Sequence, residues 1–75
     1  PKDQVVKIKD KLIEKAKSLS KNPHKGQYEP YLNKLKKGHR RLVESNFKIV
    51  YRVEDEIIYI VDFFDSRDDP KKMKG

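Results

Sequence analysis

The stretch from Arg40 to Met73, RRLVESNFKIVYRVEDEIIYIVDFFDSRDDPKKM, decides the fold. It predicts three β-strands joined by tight turns and followed by a charged tail. Arg40 to Ser45 is a first strand, closed by a turn at Ser45-Asn46. Phe47 to Val53 alternates with a period of two. Phe47, Ile49, Tyr51 and Val53 share one face, and Lys48, Val50 and Arg52 share the other. Glu54-Asp55-Glu56 reverses the chain. Ile57 to Phe64 is apolar on nearly both sides, the pattern of a central strand covered on two faces. A three-residue loop sets Val53 opposite Ile57 and Tyr51 opposite Tyr59, whereas a four-residue loop moves every side chain across. The three-residue arrangement is expected.

Upstream, Lys2 to about Lys21 reads as an amphipathic helix. Val5, Ile8, Leu12, Ala16 and Leu19 recur at steps of three and four, Val6 and Ile13 widen the stripe, and lysines fill the solvent side. Pro1 suits a first turn, and Asp3 is favourable near the positive end of the helix dipole. Asn22-Pro23 ends the helix, because Pro23 cannot extend the hydrogen-bond ladder and restricts the residue before it. Residues 22–39 form a connector punctuated by Gly26, Pro30 and Gly38. A short helical turn is expected around Tyr31 to Lys37, with Tyr28, Tyr31, Leu32 and Leu35 pinning the connector to the core. The resulting fold is α+β: one long helix packed on a three-stranded antiparallel sheet, on the face bearing Ile49 and Tyr51. The face bearing Lys48 and Arg52 is left open for a partner. A single domain is expected over residues 1–75, with the helix at about 2–21, the connector at 22–39, the sheet at about 40–65 and the charged tail at 66–75.

Composition narrows the function classes. With 75 residues, 35% of them hydrophobic and 41% charged, the core is thin. There is no cysteine, so no disulfide or thiolate metal site reinforces it, and a reducing, cytoplasmic setting fits. No apolar run is long enough for a membrane span, and no signal-peptide pattern opens the chain. The formal net charge of +7 points to an acidic partner, namely nucleic acid, an acidic protein or anionic lipid, against the alternative of a merely solvated lysine coat. The chain opens on Pro1 with the helical pattern already running by Val5, which reads as a beginning removed or lying outside this stretch.

Catalytic and metal constellations are sparse. His24 and His39 lack a third ligand at useful spacing and read as solvated loop histidines, so no metal and no cofactor is expected. Asp62, Asp65, Asp68 and Asp69 form a cluster that Arg67 interrupts. An Asp-rich turn, with Asp65 or Asp68 capping backbone amides, accounts for it. Ser18, Ser20, Ser45 and Ser66 have no histidine placed beside them to activate a nucleophile. The basic residues carry more. Arg40, Arg41, Lys48, Arg52 and Arg67, interleaved with aromatic side chains, suit phosphate or carboxylate recognition, or else salt bridges to Glu44, Glu54 and the aspartates.

The run Phe47-Lys48-Ile49-Val50-Tyr51-Arg52-Val53, the apolar strand from Ile57 to Phe64 and the tail Asp65-Ser66-Arg67-Asp68-Asp69-Pro70 resemble the C-terminal half of toxins of the RelE/ParE superfamily. These are the toxin halves of type II toxin–antitoxin (plasmid stabilisation) pairs. The helix, the Asn22-Pro23 turn and Gly26 match in order and spacing, so the resemblance spans about Lys7 to Met73. Its members usually begin with a strand and a further helix that are missing here, which implies an N-terminally truncated domain with an exposed sheet edge.

The resemblance implies three functional readings. In a ParE-like toxin the chain inhibits DNA gyrase and is neutralised by an antitoxin. In a RelE-like toxin it is a metal-independent, ribosome-dependent mRNA endonuclease. There Lys48 takes the position of a catalytic Arg and Arg67 that of the Arg after the last strand, so that charge stabilisation and proton transfer suffice. The late Tyr or His of that set falls at Lys72 or Met73, which departs from the pattern and favours the ParE-like branch. In the third reading a truncated, non-toxic fragment only binds antitoxin or itself. The implied partners are an antitoxin with an acidic C-terminal segment lying on Arg40, Arg41, Lys48, Arg52 and Arg67, gyrase or the ribosome with its mRNA, and a second copy pairing through the exposed edge.

Overall fold

The computed structural model describes the backbone of residues 2–75 and the side chains of residues 8–75. The expectations for Pro1 and for the side chains of Asp3, Val5 and Val6 therefore fall outside the described residues.

Helix α1 runs from Lys2 to Ser18. It ends three residues before the expected Lys21 because the chain tightens. Leu19, Ser20 and Lys21 donate their amides to Ala16, Lys17 and Ser18, three residues back, at 3.1, 3.2 and 3.3 Å. Leu12 and Leu19 are buried, and Ile8 and Ala16 pack at the margin of the same cluster. Ile13, expected to widen the stripe, is half exposed. Lys15 fastens the helix to the sheet by donating to the Val43 carbonyl (2.6 Å) and approaching Glu44 (3.8 Å).

The sheet has four antiparallel strands rather than three, in the order β1 (Gln27–Tyr28), β2 (Arg40–Glu44), β3 (Phe47–Glu54) and β4 (Ile57–Asp65). Strand β1 is only two residues long, too short to leave a periodic signal. It pairs Gln27 with Arg41 and Tyr28 with Arg40. A 3₁₀ helix at Pro30–Leu35 occupies most of the span where a helical turn was expected. Of the four side chains expected to anchor the connector, Leu32 is buried while Tyr28, Tyr31 and Leu35 are exposed.

The hairpin register differs from the expected one. Val53 faces Ile58 and Glu54 faces Ile57, leaving a two-residue turn at Asp55-Glu56. Both turn residues take positive φ (50° and 64°), the mirror-image turn that matches the twist of the flanking strands. Neither is glycine or asparagine, so the turn is strained. Glu56→Gly, which creates the favoured Asp-Gly pair, is expected to stabilise the fold by about 1 kcal/mol. The urea midpoint should rise without a change in slope, and a lowered midpoint would contradict the turn geometry. A bulge then lets Tyr51 face Ile60 while Val50 faces Asp62, leaving Val61 as the extra residue.

As expected, Ile49 and Tyr51 lie under the helix. Together with Leu12, Leu19 and Leu42 they form the first core. The opposite face is not open as expected. Val50 and Phe64 pack there with Leu32 from the 3₁₀ helix and Met73 from the tail, forming a second small core. The tail folds back to reach it. Asp69 caps a 3₁₀ turn at Pro70–Lys72 by accepting from the Lys71 amide (3.0 Å). The Lys74 amide donates to Asp62 Oδ2 (3.0 Å), and Gly75 O lies 2.9 Å from His39 Nε2. Strand β4 also departs from expectation, since it is an edge rather than a central strand.

Candidate functional site

The alternation of β3 places Lys48 and Arg52 on one face, with Val50 between them. Arg41 joins that face by pairing with Val50, whereas Arg40, paired with Tyr51, belongs to the helix face. Arg67 follows β4 at the opposite end of the sheet from Arg52, where Ser66 donates its amide to Asn46 O (2.7 Å). The five expected cations are therefore divided among two faces and two ends and do not form one patch.

Each is also engaged within the fold. Lys48 Nζ donates to Glu29 Oε1 (3.0 Å), and Arg41 Nε lies 3.8 Å from the same oxygen. Glu29 is completely buried. It is held in place because its other oxygen accepts the Tyr31 amide (3.1 Å) at the start of the 3₁₀ helix and its own amide donates to His39 O (2.9 Å). A buried carboxylate needs such compensation, and Lys48 supplies its charge. The sequence gives only a weak sign of this role, a carboxylate just before Pro30 in the N-cap position of a turn.

Arg52 stacks over the Tyr59 ring (4.3 Å to the centroid) and pairs with Glu54. Arg40 stacks over Tyr28 (4.1 Å) and donates to three neutral acceptors: Gly26 O (2.7 Å), Tyr28 Oη (3.0 Å) and His24 O (3.1 Å). Of the expected acidic partners, Glu54 and Asp65 hold arginines, while Glu44 pairs with Lys15.

Arg67 forks onto Asp65 in the doubly bonded geometry typical of arginine and carboxylate, Nε to Oδ1 at 2.9 Å and Nη2 to Oδ2 at 2.7 Å. Its amide also donates to Oδ1 (2.9 Å), so Asp65 is the turn-capping aspartate expected from the sequence. The guanidinium hydrogen bond, and then the amide, lower the Asp65 pKa from 3.8 to about 2, and Asp65 raises that of Arg67 in return. A carboxyl whose folded pKa is depressed stabilises the fold above its unfolded value. That contribution is complete above about pH 4 and is lost as the pH falls through 2. In Arg67→Gln, an NMR titration should find the Asp65 carboxyl returning toward 3.8. A carboxyl still titrating near 2 would assign the shift to the backbone amide instead.

Of the two histidines expected to be solvated, only one is. His24 is exposed, but His39 is buried beneath the tail with Nδ1 lacking a partner. Among the described residues no three His, Asp or Glu side chains converge as a metal-ligand group, and no helix is long and apolar enough to cross a membrane.

Large apolar side chains are also left exposed. Edge strand β4 exposes Ile57, Tyr59, Ile60 and Phe63, and Ile13 is exposed on α1. Phe63, Ile13, Leu12 and the Lys9 stem line an apolar notch of about 290 Å³ between helix and strand. An edge strand of nine residues also carries a row of backbone donors and acceptors with no neighbouring strand on that side among the described residues. Apolar side chains beside unpaired backbone groups suit an added protein segment better than a small substrate.

Comparison with known proteins agrees with the sequence motifs. Residues 1–70 match the family described as the ParE toxin of type II toxin–antitoxin systems, parDE. No curated protein and no solved structure matches the chain. The match takes in the helix, the connector and all four strands, and the chain belongs to the ParE toxin family of type II toxin–antitoxin systems.

Proposed function

We propose that this chain is a ParE-like toxin that inhibits DNA gyrase by binding it as a protein and is neutralised by a cognate antitoxin. The observation that carries this reading is the engagement of Lys48 by the buried Glu29. A cation needed to stabilise a charged phosphorane must be free to face it. Lys48 instead compensates an internal carboxylate, and Arg67 is turned onto Asp65. Met73, one of the two positions where the nuclease pattern calls for a Tyr or His, is buried in the second core. These features favour inhibition through binding over RNA cleavage.

The antitoxin has a natural seat on β4. A segment that adds a strand there and places apolar side chains in the notch beside Phe63 would satisfy both the backbone and the apolar surface. Acidic residues flanking that segment would meet the net charge of +7. A second copy of the chain could compete for the same edge. Gyrase supercoiling is expected to fall on addition of the protein and to recover when antitoxin is supplied. Unchanged supercoiling would exclude gyrase as the target. Codon-positioned cleavage of mRNA on programmed ribosomes, abolished by Arg67→Ala, would replace this reading with the nuclease. Normal growth of a bacterium expressing the chain would leave antitoxin binding or self-association as its remaining role.

A further inference from the structure

Arg40 and Arg52, with two lysines that the sequence does not single out, lie at the end of the sheet where β2 begins and β3 finishes. Two adjoining clefts of about 150 and 330 Å³ share Lys37 and Val53 in their walls. Arg40 and Tyr28 line one cleft, and Lys36, Arg52 and Glu54 line the other. Four cations thus face one carboxylate. Among the described residues Lys36, Lys37 and Arg40 have no carboxylate within ion-pair distance, since the pairs formed there involve Lys15, Arg41, Lys48, Arg52 and Arg67.

Two further features point to a ligand. Arg40 and Arg52 are both immobilised by ring stacking, so little side-chain freedom is lost on binding. The backbone at Gly38, in the wall of the cleft that Arg40 lines, is open, because a side chain there would meet nothing within 4 Å. Arg40 belongs to the helix face and Arg52 to the opposite one, with the lysine loop between. Cations spread over two adjoining clefts suit an extended, multiply charged phosphate ligand better than a planar carboxylate, which prefers a single in-plane fork.

We propose that this end of the sheet, formed by Lys36, Lys37, Arg40 and Arg52, is a binding site for phosphate groups. It is distinct from the β4 edge and independent of which target the toxin inhibits. The phosphate could belong to a nucleic-acid backbone or to a free phosphate compound, and the two are separable. The test uses the 75-residue chain with two probes, a single-stranded oligonucleotide of about 12 nucleotides and inorganic pyrophosphate, at about 50 mM salt. Binding is followed by fluorescence anisotropy and by NMR shifts of the 36–40 and 52 amides. The double variant Lys36→Asn/Lys37→Gln retains a residue tolerant of the positive φ of 56° at position 36. It is compared with Lys17→Gln/Lys21→Gln, which removes the same charge from exposed positions elsewhere.

The loop variant is expected to bind about tenfold more weakly and to reduce the salt slope by about 2, with thermal unfolding unchanged. The control variant should lose less than about twofold. Oligonucleotide binding that millimolar pyrophosphate does not displace assigns a backbone phosphate. Binding of pyrophosphate itself, with shifts at the same amides, assigns a free phosphate compound. Equal loss in both variants, binding of neither probe, or polyglutamate binding as tightly as the oligonucleotide overturns the proposal.

Discussion

Replacing Lys48 with Met is expected to destabilise the fold by about 3 kcal/mol, because it leaves Glu29 charged and buried with only the more distant Arg41 to compensate it. A chain of 75 residues has a total stability of about 4–11 kcal/mol, so the loss is a large share of what there is. It corresponds to a fall in the unfolding midpoint of about 12–24 °C. Lys48→Arg retains the charge and should keep most of the stability. The decisive comparison is Glu29→Gln/Lys48→Met. The glutamine still offers an oxygen to the Tyr31 amide but carries no charge that requires Lys48. The double variant should therefore recover well over half of the loss, giving a coupling of about 2 kcal/mol between the two positions. If Lys48→Met is as stable as the parent, Lys48 is a solvated cation and the nuclease reading regains its residue.

The pairing of Lys48 with Glu29 also explains which parts of the site the sequence could reveal. Period-two alternation placed Ile49 and Tyr51 under the helix and Lys48 and Arg52 opposite them, because strand geometry alone fixes that separation. It could not say that the second face is covered, since its cover comes from Leu32 and Met73, single apolar residues in otherwise polar segments. The hairpin register was missed because Asp55 and Glu56 adopt positive φ without the glycine that normally announces it. The bulge at Val61 leaves no mark in an unbroken apolar run. That same run suggested a central strand, although β4 is an edge. Exposed apolar side chains on an edge give the strand the same sequence pattern as one covered on both faces.

Gly26→Ala should cost about 3 kcal/mol, although nothing about the conformation of Gly26 requires glycine. Its φ is not among the positive values, so the constraint is space. A Cβ there would lie 2.6 Å from Tyr51 Oη, 2.9 Å from Tyr51 Cε1 and 2.7 Å from the Arg41 carbonyl oxygen. The carbonyl is backbone in a paired strand, and Tyr51 is fully buried, so neither can yield cheaply. The close approach exists because the Gly26 amide donates to Tyr51 Oη at 2.9 Å, which joins the connector to the centre of the first core. Tyr51→Phe removes that acceptor and leaves the amide buried and unpaired, at about 1–3 kcal/mol. The two substitutions act on one contact and should not add. In Gly26→Ala/Tyr51→Phe the nearest clashing atom is gone, but the Arg41 carbonyl and the ring Cε1 remain. The double variant should therefore be less stable than Tyr51→Phe alone, yet lose less than the two single losses combined. Urea unfolding of the four proteins measures this directly. Strict additivity would mean that the methyl group is accommodated away from the hydroxyl and that the connector is not anchored at this point.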